Sequence, residues 1–436
     1  MPRVLIATLA ALALLAPAAE AQTSLQKSLA RSMASAGRSS GAYVIDADTG
    51  ATLYSSRANT RRILASNTKL FTSAAVLGRL GSSSTLATTL LGTGSLQPDG
   101  TWKGDLYLRG GGDPTFGNAA FNRAYGSQAS VEALATQLEQ AGFTGVTGRV
   151  YGDESLFDTL RGGPDSGYET SPWVGPLSAL DFNHGYGKRA FLTNPALTAA
   201  QQLKTALKAA AVPVRGKAAT GTAPDGAVEL AEVRSPTVTR LLRLQNKDSD
   251  NFFAEMLGKG LAVSGEPGDP VRSKSEPLPV TPTVDSPSAA STAPDVPGPA
   301  TTKTGAKVAI RFARSLGARP TLVDGSGLSR GDRASPRSVA TLLDRVRDRS
   351  DFKSLYNSLP IAGHDGTLDH RMRSGPAHNK CHAKTGTLTG VSTLSGYCTT
   401  RGGRTVVFSI LMNRVNVSGA HTLQDRMVQA IAGWRG

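Results

Sequence analysis

Cysteine is nearly absent from this sequence: there are two, Cys381 and Cys398, in 436 residues. Two are too few for a disulfide framework, and neither follows the N-terminal apolar run, where one could carry a lipid. Long apolar stretches are missing after Ala16, which excludes a membrane-spanning helix from the rest of the chain. Metal-ligand spacing is poor as well. His378 and His382 flank Cys381 where a loop enters a strand, and strand alternation turns neighbouring side chains to opposite faces. No metal and no cofactor is expected. Acidic residues are in deficit, 33 against 48 Lys and Arg, for a net charge of +15. Taken with the export signal described next, that excess favours peripheral attraction to an anionic envelope and argues against nucleic acid as a partner.

The N-terminus holds Arg3, an apolar run from Val4 to Ala16, and the small-x-small pattern Ala19-Glu20-Ala21. This is the pattern of a signal peptide over residues 1–21, so the mature chain is expected to begin near Gln22, exported and soluble on the periplasmic or cell-wall side. The remainder is long for one core and divides naturally into two or three domains.

Strand patterns at Ala42–Ile45 and Thr52–Tyr54 flank Asp48-Thr49-Gly50 and predict a hairpin. Leu70, Ala74, Val76, Leu77 and Leu80 recur at helical spacing up to Gly81, predicting a helix with Ser66 in its first turn. Residues 87–234 change character and read as an inserted mixed α/β region, with Trp173, Leu177 and Phe182 as anchors of a surface-loop segment. Helices resume after Ser235-Pro236. Residues 264–300 hold nine of the 24 prolines and read as a disordered Pro/Ser-rich excursion. Strand patterns at Val391–Tyr397 and Thr405–Met412 and a final amphipathic helix close the chain. The fold class is therefore α+β: an antiparallel sheet flanked by helices, built from residues 22–86 and 235–436 and split by the insertion. Reflection through Thr389-Gly390 sets position 381 opposite 398, a register that permits a disulfide without requiring one.

Ser66-Asn67-Thr68-Lys69 could be a nucleophile and its base, but the pattern is common by chance and on its own reads first as a capping serine and a solvated lysine. Two later stretches change that balance: Ser249-Asp250-Asn251 and Lys384-Thr385-Gly386. The three motifs, in this order, are those of penicillin-binding proteins and class A β-lactamases. Lys303-Thr304-Gly305 is a decoy, since it leads into a helix, whereas Lys384 opens a hairpin whose strand edge can bind an extended peptide.

With these motifs stand Gly110–Pro114, Asn246–Asn251, Val323–Ser329, Gly363–Leu368 and Ala383–Leu388. Together they make the chain resemble the class C low-molecular-mass penicillin-binding proteins, the D-alanyl-D-alanine carboxypeptidase/endopeptidase family of the DD-peptidase/β-lactamase superfamily. Leu64 stands where that family often has proline, and the insertion is short for the family. The resemblance implies a transpeptidase-like fold and acylation of Ser66 by peptidoglycan stem peptides, with β-lactams as covalent inhibitors. Lys69 would be the base, lowered in pKa by burial and by Lys384, and Ser249 a proton relay. Asn251, Lys384, Thr385, Gly386 and Thr387 would bind substrate, Gly386 by letting its backbone approach. The backbone N–H groups of Ser66 and Thr387 would form the oxyanion hole. Asp250 receives no role, and His364 and Asp365 a structural or lining one. The alternatives are a serine β-lactamase, for which no glutamate between Asn251 and Lys384 is well placed, and a catalytically weak penicillin-binding envelope module.

Overall fold

The structure is a computed structural model that describes residues 23–187, 189–263 and 298–436. The signal-peptide assignment and residues 264–297 of the Pro/Ser-rich stretch lie outside the described residues. Residues 298–300 of that stretch are described, and Ala300 is buried, its backbone bonded to Leu156 and Asp158. The stretch expected to run to residue 300 as an excursion is therefore tied to the folded protein at Ala300.

The main sheet has five antiparallel strands in the order Cys381–Leu388, Val391–Thr399, Thr405–Asn413, Ser40–Asp46, Thr52–Ser56. The first and last parts of the chain meet at its centre, where Ser40–Asp46 pairs with Thr405–Asn413. Both faces are covered, so the central strands are buried along their length and read as near-continuous apolar runs. Alternation still sorts the side chains. Tyr43, Ile45, Val407 and Leu411 join the core beneath the helices Thr68–Leu80, Val238–Lys247, Asn251–Gly260 and Pro336–Arg345. Val44, Val406, Phe408, Ile410 and Met412 pack against the helix at 23–35 and the C-terminal helix Val417–Gly433.

Residues 87–234 form a second, six-stranded sheet with its own core around Leu90, Leu106, Leu134 and Leu203. One side of it is antiparallel, Val228–Arg234 beside Ala87–Leu96 beside Thr101–Arg109. The other side is parallel, where Thr101–Arg109 meets Val150–Asp153. The loop segment between these elements does not stay with the second sheet. Phe157, Val174, Leu177 and Ala179 enter the core of the helical layer instead. Leu177 and Phe182 are buried as expected, but the Trp173 side chain is 72% exposed and joins neither core.

Cys381 and Cys398 are directly opposite in the hairpin and form a disulfide, which leaves neither sulfur free for a metal. The bridge closes a loop of 17 residues. Replacing both cysteines with alanine should lower unfolding free energy by about 2–4 kcal/mol, read by urea denaturation. An unchanged midpoint would mean that the hairpin is held by its ladder and packing alone.

Candidate active site

Lys69 is the point on which the motifs converge. It lies in the first turn of the Thr68–Leu80 helix, and Ser66 precedes it in a 3-10 turn, Ala65–Asn67. Ser66 is thus just outside the α-helix, not in its first turn, and makes no side-chain cap. The chain is bent there by force. Ala65 is buried with φ of 46°, a left-handed conformation that a residue with a Cβ holds only under constraint. Leu64 supplies it: its N–H donates to Asp332 O at 3.0 Å and its carbonyl accepts from Thr393 Oγ1 at 2.9 Å.

Lys69 Nζ donates to Ser66 Oγ at 3.1 Å, Asn251 Oδ1 at 2.7 Å and the Ser326 carbonyl at 2.8 Å. The side chain is fully buried, and no carboxylate among the described residues forms an ion pair with it. Burial pulls its pKa down to about 8, against the opposing pull of Asp324, Asp250, Glu255 and Asp332. Desolvation is the leading cause, ahead of any contribution from Lys384. The repulsion between the two amines is evident at Lys384, which burial first and Lys69 second hold well below the usual lysine range.

The second motif is shaped by a residue that was given no role. Asp250 caps the helix Asn251–Gly260, its Oδ1 accepting from Phe253 N at 2.9 Å. Ser249 just before it has φ of 59°. The resulting turn brings Ser249 Oγ to 2.8 Å from Lys384 Nζ and Asn251 to Lys69. Ser249 is therefore paired with Lys384 and not with Lys69. The free half of the Asn251 amide is also engaged, its Nδ2 donating to the Trp173 carbonyl at 3.0 Å. The loop from the insertion thereby forms one wall of the cleft. A volume of about 580 Å³ opens there between Ser249–Asn251 and aromatic residues that include Tyr125, Tyr186 and Phe191.

The third motif lies on strand Cys381–Leu388, which is docked on the serine turn by Asn67 Nδ2 donating to the Lys384 carbonyl at 2.9 Å. Thr385 Oγ1 pairs with Thr367 Oγ1 at 2.7 Å, and Thr387 is exposed along the edge. Gly386 has a more immediate reason to be glycine than access for a substrate. A Cβ there would lie 2.8 Å from Ser66 N and 3.0 Å from Leu64 O, and would overlap Thr393 Oγ1. The decoy Lys303 is exposed on the helix Thr302–Ser315, where Thr304 completes a capping box with Thr301. Asp365 pairs with Lys247 at 2.6 Å and accepts from Ile361 N at 2.8 Å, a structural use.

Behind Ser326 lies a group of buried acids absent from the expected site. Glu255 Oε1 accepts from Gly325 N at 3.1 Å and Ser326 N at 2.8 Å, while Asp324 accepts from Gly327 N and Ser329 N. Burial pushes Glu255 up to about 7, with Asp324 adding to the shift, and Asp332 well above the carboxylate range. This frame aims the Ser326 carbonyl at Lys69. Both bonds fall on Oε1, and Glu255 Oε2 is buried with no hydrogen-bond partner among the described residues.

Comparison with known proteins gives one consistent picture. The model of the D-Ala-D-Ala carboxypeptidase 3 (S13) family matches residues 21–190, 187–275 and 293–433. Carboxypeptidase Rv3627c of Mycobacterium tuberculosis is 29% identical over 399 residues, covering 87% of this chain and 77% of that protein. The D-alanyl-D-alanine carboxypeptidase of an Actinomadura species is 29% identical over 485 residues, covering 92% and 82%. In fold, the chain is similar to penicillin binding protein 4 of Haemophilus influenzae with a TM-score of 0.70, at 20% identity and coverage of 89% and 94%. That protein complexed with a β-lactam gives a TM-score of 0.67.

Gly386→Ala should push the strand off the serine turn. The expected result is a loss of about 1–3 kcal/mol in stability and at least a roughly tenfold slower labelling of Ser66 by fluorescent penicillin. Labelling at the wild-type rate would show that the strand and turn move independently.

Proposed function

The chain belongs to the D-Ala-D-Ala carboxypeptidase 3 (S13) family, and from that premise we propose that it is a serine-type D-alanyl-D-alanine carboxypeptidase acting on peptidoglycan stem peptides through an acyl-enzyme on Ser66. The observation that carries the residue assignment is the pair Ser66 Oγ and Lys69 Nζ, 3.1 Å apart, with Lys69 buried and lowered to about 8. A neutral amine at hydrogen-bond distance from a hydroxyl is a general base in position.

In this reading, Lys69 takes the Ser66 proton as Oγ attacks the carbonyl between two D-alanines. Negative charge develops on the carbonyl oxygen, and the backbone N–H groups of Ser66 and Thr387 receive it. Collapse breaks the peptide bond. Ser249, bonded to Lys384, passes a proton to the departing amine of D-alanine. Water then attacks the ester and the proton flow reverses, returning Ser66. Asn251 and the edge of strand Cys381–Leu388 hold the peptide, with Lys384, Thr385 and Thr387 near the terminal carboxylate. Asn251 Nδ2 must exchange the Trp173 carbonyl for a substrate carbonyl.

β-Lactams would acylate Ser66 by the same attack, as stable inhibitors. Glu255 lies behind Ser326 with Oε1 holding two backbone N–H groups, a structural use, and slow deacylation is the outcome expected over β-lactamase activity. Export after removal of residues 1–21, with residues 87–234 as an accessory insertion, completes the proposal.

Fluorescent penicillin should label wild type stably and Ser66→Ala not at all, and wild type should release D-alanine from a diacyl-Lys-D-Ala-D-Ala peptide. Rapid loss of label would point to a β-lactamase, and labelling without D-alanine release to a binding module. The pH dependence follows from the sign of the shift. Protonated Lys69 cannot accept a proton, so the second-order labelling rate should rise with pH and level off above about 8. A rate that is flat between pH 6 and pH 9 would exclude Lys69 as the base.

A further inference from the structure

A second cleft, of about 810 Å³, shares no lining residue with the catalytic groove. Its lining includes Arg61, Arg314, Arg319 and Arg337 together with Asn59, Ser335 and Ser338, and no carboxylate. None of the four arginines forms an ion pair among the described residues. Elsewhere the chain does pair its arginines: Arg347 with Asp48 and Asp344, Arg349 with Asp351, Arg404 with Asp46. Four like charges gathered around one cavity repel one another, and no carboxylate among the described residues forms an ion pair with any of them.

Two of the four are held by neutral partners, which fixes them without reducing their charge. The Arg337 guanidinium lies 4.2 Å from the Tyr43 ring centroid, with Nη1 donating to Tyr43 Oη at 2.8 Å and Nε to Asn59 Oδ1 at 2.9 Å. Arg61 Nη2 donates to the Arg319 carbonyl at 3.0 Å. The guanidinium groups of Arg314 and Arg319 have no hydrogen-bonded protein partner among the described residues and are exposed. The helix Pro336–Arg345 begins in the same wall behind its Ser335 cap, adding the positive end of its dipole. The side-chain acceptors in the lining are neutral and in part already engaged, Asn59 Oδ1 by Arg337, Ser338 Oγ by Arg319 N and Ser335 Oγ by Ser338 N, so the charged groups facing the cleft are all donors.

We propose that this cleft is a binding site for a ligand carrying two or more phosphate groups. A lining of charged donors matches oxyanions that only accept, and the guanidinium fork suits phosphate oxygens bidentately. The number of arginines and the size of the cavity both exceed what a single phosphate needs. Soluble or polymeric phosphodiesters and the headgroups of an anionic lipid share this chemistry.

The test is calorimetric titration of the whole protein with tripolyphosphate, with wild type compared to Arg314→Ala/Arg319→Ala. A surface control, Lys208→Ala/Lys217→Ala, removes the same charge from the inserted region. The expected result is at least a tenfold weaker affinity in the arginine variant, no change in the control, and unchanged penicillin labelling of Ser66 in both. Equal affinity in wild type and the arginine variant, or an equal loss in the control, would overturn the site. Citrate binding as tightly as tripolyphosphate would overturn the phosphate assignment. Sedimentation with phosphatidylglycerol/phosphatidylcholine vesicles then identifies the source. Binding that depends on Arg314 and Arg319 supports a lipid headgroup, and tripolyphosphate binding without vesicle binding supports a soluble or polymeric phosphate.

Discussion

A lysine amine buried without a carboxylate partner is the constraint on which the rest of this structure depends. Charged, it would carry a large desolvation cost; neutral, it is a base at ordinary pH. Burial lowers Lys69 to about 8, and its contacts are three uncharged oxygens, a hydroxyl, an amide and a backbone carbonyl, in place of a carboxylate that would hold the charge. Each comes from a different part of the chain, 3, 182 and 257 residues away in sequence. The fold is the device that brings them together.

The surrounding features serve the same end. Strain at Ala65 and Ser249 is stored where the chain must turn sharply to present Ser66 and Ser249. Asn67 ties the serine turn to the strand that carries Lys384, and Gly386 lets the two pack without a Cβ between them. Glu255 and Asp324 fix the backbone of the Ser326 loop from behind. Their burial raises Glu255 toward neutrality, so the frame adds less negative charge beneath Lys69 than its carboxyl groups suggest. That balance keeps the amine from being drawn back to its ordinary pKa.

Much of this was legible in the sequence, because it is carried by side-chain chemistry in short motifs. The three motifs, the inert Lys303 and the opposition of Cys381 to Cys398 follow from local pattern and hairpin reflection. What was not legible is carried by the backbone or by tertiary burial. The Ser326 carbonyl is invisible in sequence, since every residue has one. Asp250 reads as a spacer until the helix it caps is placed. Glu255 looked like an ordinary helix residue, and only the approach of residues 325–326 makes it a double acceptor. Trp173 was expected to be an anchor on its size, yet its carbonyl, not its ring, is what engages Asn251.

The most direct measurement is the titration of Lys69 itself, by NMR of ¹³Cε-labelled lysine with a Lys69→Arg variant to assign the signal. The account predicts a midpoint near 8 for this one lysine. A midpoint at the ordinary value of 10.5 would mean that the amine is a solvated or paired cation, and that Ser66 is activated by something else.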